Sequence, residues 1–168
     1  MTGFRYQTER LDDHHDRSAF SCGVEALDRY FREQAGQDLR RKLTVPYILT
    51  DRATAAIIGY YTLSTASLFP ESLPQKMTRK LPHYESFPAI LVGRLAVDRR
   101  YQGEAFGGLL LQDALQRCLE TGRHIGVMAV VVDAKDDAAR AFYEHFGFRR
   151  FADDEYRLYL PITEIPQP

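Results

Sequence analysis

Nine consecutive residues, Arg100, Tyr101, Gln102, Gly103, Glu104, Ala105, Phe106, Gly107 and Gly108, lie where an apolar strand gives way to a helix, and their types suit an anion. The start of a helix presents backbone N–H groups that lack intrahelical partners, at the positive end of the macrodipole, and residues without a Cβ let an anion approach that backbone closely. A pyrophosphate fits such a place. The same glycines also serve a plain tight turn from strand to helix, and the segment alone leaves both readings open. A Walker-type loop would end in Gly-Lys-Ser/Thr, and a dinucleotide fingerprint would run Gly-x-Gly-x-x-Gly after an early strand; neither pattern is present.

A second group, Phe142, Tyr143, Phe146 and Phe148, forms an aromatic stripe that, read by itself, is core with a phenol hydroxyl at its edge. Asp98, Glu104, His83 and Glu144 are conceivable proton acceptors, and nothing in their spacing selects one. His14 and His15 sit in a charged segment, while His83, His124 and His145 show no ligand-like spacing, so no metal site is expected.

The elements that position these residues follow from periodicity. Leu27, Tyr30, Phe31, Gln34, Ala35 and Leu39 recur at spacings of three and four, which predicts an amphipathic helix over 22–41 with Ser21 as its N-cap. The β-branched and aromatic runs 45–50 and 55–68, separated by 51–54, predict a hairpin. Four prolines within 69–88 predict a long loop holding at most a short helix. The apolar run 89–98 predicts a central strand with a bulge or bend at Gly93. A helix should start inside the glycine segment and end near Gly122. A buried strand over 125–132, a short helix stopped by Gly147 and a last strand over 151–161 complete the order. Alternation of this kind predicts an α/β fold, a mixed sheet with helices on both faces.

At 168 residues the chain suits one compact domain spanning 1–168 with one site. No run approaches the roughly 18 apolar residues that span a bilayer, and the charged opening MTGFRYQTERLDDHHD does not read as a signal peptide, so a cytoplasmic protein without membrane contact is expected. Cys22 and Cys118, the two cysteines, read as small apolar residues rather than a disulfide. A formal net charge of −1 argues against a uniformly basic nucleic-acid surface, leaving Arg40-Arg41-Lys42, Arg79-Lys80 and Arg99-Arg100 as local basic clusters or solvated faces.

The segment from Arg100 resembles the acyl-CoA signature of the GCN5-related N-acetyltransferase (GNAT) superfamily, Gln/Arg-x-x-Gly-x-Gly/Ala, through Arg100, Gly103 and Ala105. The flanking strand, the following helix and the later strand-helix-strand unit occur in that family's order. The resemblance implies acetyl-CoA as cofactor, bound by the segment from Arg100 to Gly108. It also implies that the backbone of Leu95, Ala96 and Val97 meets the pantetheine arm and polarises the acetyl carbonyl. The stretch around Tyr143 resembles the family's segment in which a tyrosine faces the cofactor sulfur, which makes Tyr143 the candidate general acid, since a phenol of pKa near ~10 can protonate a departing thiolate.

Further residues resemble one branch, the acetyltransferase toxins of type II toxin–antitoxin modules: Phe20-x-Cys22-Gly23-x-x-x-Leu27-Asp28, the run from Gly59 to Ser64, the run from Gly93 to Asp98, and the run from Val132 to Lys135. That resemblance implies acetylation of the α-amine of aminoacyl-tRNA, neutralisation by a ribbon-helix-helix antitoxin, and a homodimer. An α-amine of pKa near ~8 is substantially neutral at physiological pH, in keeping with the missing base. Arg40, Arg41, Lys42, Arg79 and Lys80 are then the candidate tRNA patch, and Arg94 either reaches the site or pairs with an acid. Acetylation of a small amine or a protein terminus, and a non-catalytic acyl-CoA-binding module, are the alternatives.

Overall fold

The computed structural model describes residues 4–168. Seven strands are hydrogen-bonded in the order β1-β2-β3-β4-β5-β7-β6, a mixed sheet in which β4 (Phe87–Val97) and β5 (Ala129–Asp133) run parallel while β1 (Tyr6–Arg10) with β2 (Val45–Asp51), β2 with β3 (Ile57–Leu68), and β7 (Arg157–Pro161) with both β5 and β6 (Arg149–Arg150) run antiparallel. Together with the helices between these strands, this is the α/β architecture that the alternating pattern predicts. The chain divides into two compact units, Met1–Ser64 with Gly93–Ala114 and Thr65–Val92 with Leu115–Pro168.

In the first unit the expected long helix comprises α1 (Glu25–Arg29), a wider π turn over Tyr30–Gln34, and α2 (Ala35–Arg40). Its N-cap is Val24, with no side-chain bond, rather than Ser21. The reason is local: Gly23 takes a positive φ of 94°, the Cys22 N–H donates to Asp28 Oδ1 at 2.7 Å, and the Ser21 hydroxyl accepts from Arg99 at 2.8 Å. A carboxylate inside the helix thus reaches backwards to hold the segment that enters it. The core of this unit gathers Leu11, Phe20, Tyr30, Phe31, Ile48, Ile57, Tyr60 and Ala96, with the Phe31 and Tyr60 rings stacked at 4.2 Å. β1 was not expected, because YQTER offers no alternating apolar face; its place at the edge of the sheet explains that polarity.

In the second unit the proline-rich stretch holds a single 3₁₀ turn, Pro70–Ser72, and the four-residue α3 (Gln75–Thr78) before β4 begins at Phe87. α4 (Phe106–Thr121), shared between the units, starts within the glycine segment and stops before Gly122. α5 (Asp137–His145) is capped by Asp136, which accepts from the Ala139 N–H at 2.8 Å, and the chain leaves it through Gly147 at φ 96°. β5 begins at Ala129 rather than 125, with Ile125 more than half exposed. The last strand expected over 151–161 begins only at Arg157, since residues 151–156 turn, and a further short strand, Arg149–Arg150, precedes the turn and pairs with β7. Leu68, Leu73, Phe87, Val131, Phe151 and Tyr159 form the core here. Cys22 and Cys118 are free and buried. Burial pushes their thiols up to about 11 and about 12, which leaves them protonated and unreactive. No helix among the described residues is long and apolar enough to cross a membrane.

Candidate active site

The loop between β4 and α4 is held by a buried carboxylate. Asp98, 1 % exposed, accepts from the Arg100 N–H at 2.9 Å, the Ser21 N–H at 3.2 Å and the Arg100 guanidinium at 3.0 and 3.2 Å. Burial by itself would push this carboxyl up, but the Arg100 side chain, the two N–H groups and the Arg100 charge together outweigh it and hold Asp98 below the ordinary carboxylate range. The Gln102 amide completes the clamp by donating to the carbonyls of Cys22 at 2.8 Å and Val97 at 2.9 Å. The resemblance-bearing stretch 20–28 thus has a physical role: it fastens the loop to the unit that carries it.

The loop itself makes a cradle. After a 3₁₀ turn over Arg99–Tyr101, Gly103 takes φ 85° and Ala105 φ 65°, and a Cβ built on Gly103 would meet no atom within 4 Å. Among the described residues the backbone N–H groups from Gly103 to Gly108 have no hydrogen-bond partner, and three of them open α4. Successive unpaired donors at a helix start form a nest for phosphate oxygens. Ala105 fills the second glycine place of the signature in the left-handed conformation, at a cost of about 1–2 kcal/mol that a glycine would avoid. Glu104 is exposed, and Phe106 is buried against the Tyr6 ring at 5.0 Å and the Tyr101 ring at 6.0 Å.

The approach of β3 to β4 depends on Gly59. A Cβ there would stand 2.6 Å from the Ala96 carbonyl oxygen and 2.7 Å from Leu110 Cδ1. Ala96 is buried in the core of the first unit, while Leu95 and Val97, alternating with it, are half-buried on the other face of β4. In the same unit the Arg94 guanidinium lies 3.4 Å from the centroid of the Tyr30 ring, whose hydroxyl donates to Asp38 Oδ2 at 2.9 Å. Arg94 is therefore held by an aromatic face rather than by an ion pair, beside a groove of about 350 Å³ lined by Leu27, Arg29, Tyr30, Glu33, Gln34 and Arg94. The π turn brings Glu33 there beside Tyr30 and Gln34, which the helical spacing already places on one face.

In the second unit Tyr143 is buried on α5, with the Phe142 ring at 5.3 Å and the Phe148 ring at 5.6 Å. Burial first, and then the charge of Asp133, push its phenol well above the ordinary tyrosine range, so it carries its proton throughout the neutral region. Of the basic residues, Arg40, Arg41 and Lys42 are exposed at the end of α2 in the first unit, with Lys42 at φ 62°, and Arg79 and Lys80 are exposed after α3 in the second. Of the conceivable bases, Asp98 is committed to the clamp and Glu144 pairs with Arg150 at 3.0 Å.

Comparison with known proteins fits this geometry. Residues 86–164 match the family model described as "Acetyltransferase (GNAT) domain". Over its length the chain is 35% identical to "tRNA-acetylating toxin" of Mycobacterium tuberculosis, covering 98% of this chain and 96% of that one, and 32% identical to "Probable toxin TacT" of Sinorhizobium fredii, covering 94% and 91%. Among solved structures it is similar to a tyrosine-to-phenylalanine mutant of KacT (TM-score 0.90, 27% identity, 96% and 98% of the two chains). It is also similar to AtaT complexed with acetyl-methionyl-tRNAfMet (TM-score 0.88, 30% identity, 95% and 96%). An AtaT mutant bound to the C-terminus of the antitoxin AtaR and acetyl-CoA is a third (TM-score 0.81, 26% identity, 96% and 96%).

Proposed function

The chain belongs to the GNAT acetyltransferases, and on that premise we propose that it transfers acetyl from acetyl-CoA to the α-amine of aminoacyl-tRNA, blocking translation as a toxin. The observation that carries this reading is the row of unpartnered N–H groups from Gly103 to Gly108, clamped in place by Asp98 and Gln102 in a chain that is similar over nearly its whole length to a tRNA-acetylating toxin.

Acetyl-CoA supplies a thioester, which makes the acetyl group transferable. The residues supply everything else. The cradle takes the diphosphate, with Glu104 as the one opposing charge in the loop. The backbone of Leu95, Ala96 and Val97 meets the pantetheine arm, and an N–H aimed at the acetyl oxygen as it gathers negative charge lowers the barrier by about 3 kcal/mol. Tyr143, kept protonated by its burial, donates to the departing sulfur. The amine needs no strong base, because an α-amine of pKa near ~8 is partly neutral at physiological pH. Arg94 with Arg40, Arg41 and Lys42, and in the other unit Arg79 and Lys80, contact the phosphates of the acceptor end, acting by point charge rather than base readout.

Residues 1–168 act in this reading as one catalytic domain, as a homodimer, in the cytoplasm where charged tRNA is made, and an antitoxin of the kind bound by AtaT silences it. The net charge of −1 favours a second reading, a small amine as acceptor. Labelled acetyl-CoA incubated with charged and with deacylated tRNA separates the two. Label on charged tRNA alone supports the toxin reading; turnover on free amines with neither tRNA labelled rejects it.

A further inference from the structure

The turn after β1 brings together donors that lie apart in the sequence pattern. His14 and His15 are adjacent and lack a third ligand at any familiar spacing; the fold supplies one from the strand. Ligand atoms of Glu9, His14 and His15 all lie within 4.8 Å of one another. His15, with a side chain only 6% exposed, places Nε2 3.0 Å from Glu9 Oε1, and its ring lies 4.1 Å from the His14 ring. A second carboxylate, Asp12, pairs with His14 and sits 3.4 Å from His15 Nδ1.

We propose that Glu9, His14 and His15 bind one divalent d-block cation, a site separate from the acetyl-transfer site and independent of the function proposed above. The tautomer of His15 is settled by its surroundings: the Asp12 N–H donates to Nδ1 at 3.0 Å, so the proton sits on Nε2 and faces Glu9. A cation takes the Nε2 lone pair and Glu9 Oε1, and the ring proton moves to Nδ1, where Asp12 Oδ1 at 3.4 Å receives it in place of the bond from the Asp12 N–H, so the imidazole stays neutral. The spacing suits it. Bonds of about 2.0–2.2 Å at tetrahedral angles put ligand atoms roughly 3.3–3.6 Å apart, close to the 3.0 Å already present between His15 and Glu9. His14 needs to swing inwards by no more than about 1.5 Å, which its 70% exposed side chain permits. Two imidazoles and one carboxylate select zinc-like ions over magnesium or calcium, whose ligands are oxygens. Asp12 then neutralises the charge that remains and holds one imidazole.

The test is calorimetric titration of the EDTA-treated full-length protein with zinc chloride, repeated with magnesium chloride and with the variants Glu9→Gln, His14→Ala and, as a control, His83→Ala. His14 is mostly exposed, so its variant should fold, and circular dichroism verifies that. The expected result is one zinc per chain, and affinity reduced about tenfold or more in Glu9→Gln and His14→Ala but not in His83→Ala. Absence of saturable zinc binding, or binding that survives equally in Glu9→Gln and His14→Ala, overturns the assignment.

Discussion

Replacing Asp98 by alanine removes the clamp beneath the phosphate cradle while leaving every donor of the cradle in the chain. The loss of stability can be built from its bonds. The Arg100 N–H at 2.9 Å is a capping interaction worth about 1 kcal/mol. The Ser21 N–H at 3.2 Å, left without an acceptor, costs about another 1 kcal/mol. The Arg100 guanidinium is more than half exposed and regains water, so its two bonds add less than about 1 kcal/mol. The expected destabilisation is therefore about 2–3 kcal/mol in urea or guanidinium unfolding at neutral pH. Its pH dependence has a definite sign: a carboxyl held below its unfolded value stabilises the fold above that value and loses the contribution as pH falls through the folded value, so wild type and variant converge in acid, below about pH 4. Binding supplies the second readout. A loosened loop must be ordered again when acetyl-CoA arrives, at about 1–2 kcal/mol for each residue fixed, so calorimetry should show affinity weakened by about tenfold or more. A folded Asp98→Ala protein that is destabilised as stated yet binds acetyl-CoA as tightly as wild type would refute the idea that the clamp preorganises the cradle.

Gly59→Ala places a Cβ 2.6 Å from the Ala96 carbonyl oxygen, and backbone cannot yield as a side chain does, so chemical denaturation should show a loss of about 1–3 kcal/mol despite the usual gain from replacing glycine in a strand. Tyr143→Phe should slow single-turnover acetyl transfer by about 10²–10³ while the acetyl-CoA affinity stays within about threefold; unchanged transfer would remove the acid role. The Cys118 thiol, raised from 9.0 to about 12 by burial, stabilises the fold below its unfolded pKa and loses that contribution as pH rises from 9 to 12. Unfolding measured near pH 10.5 should thus show about 2 kcal/mol less alkaline loss in Cys118→Ala than in wild type, each compared with its own stability at pH 8.

The parts of the site legible in the sequence are those with a steric or periodic cause. Gly103 and the helix that starts at Phe106 were readable because a positive φ and a strand-to-helix junction demand particular residue types. Tyr143 was readable by family likeness alone, since its aromatic neighbours are those of any core. The clamp was not readable. A carboxylate that accepts backbone N–H groups, as Asp98 and Asp28 do, leaves no repeat and no partner type in the sequence. Nor was the π turn that brings Glu33 beside Tyr30 and Gln34, because helical spacing assigns only the latter two to that face. The edge strand Tyr6–Arg10 and the short β6 were missed for a related reason: strands with a polar exposed side carry no apolar alternation.

The central claim is the identity of the acetylated group, and the most direct measurement is mass spectrometry of charged tRNA that has been incubated with the protein and acetyl-CoA and then digested with ribonuclease. The account predicts a 3′-terminal aminoacyl-adenosine heavier by one acetyl group, located on the α-nitrogen by fragmentation, with deacylated tRNA unchanged. An unmodified aminoacyl-adenosine, from protein that binds acetyl-CoA and turns it over on another amine, would contradict it.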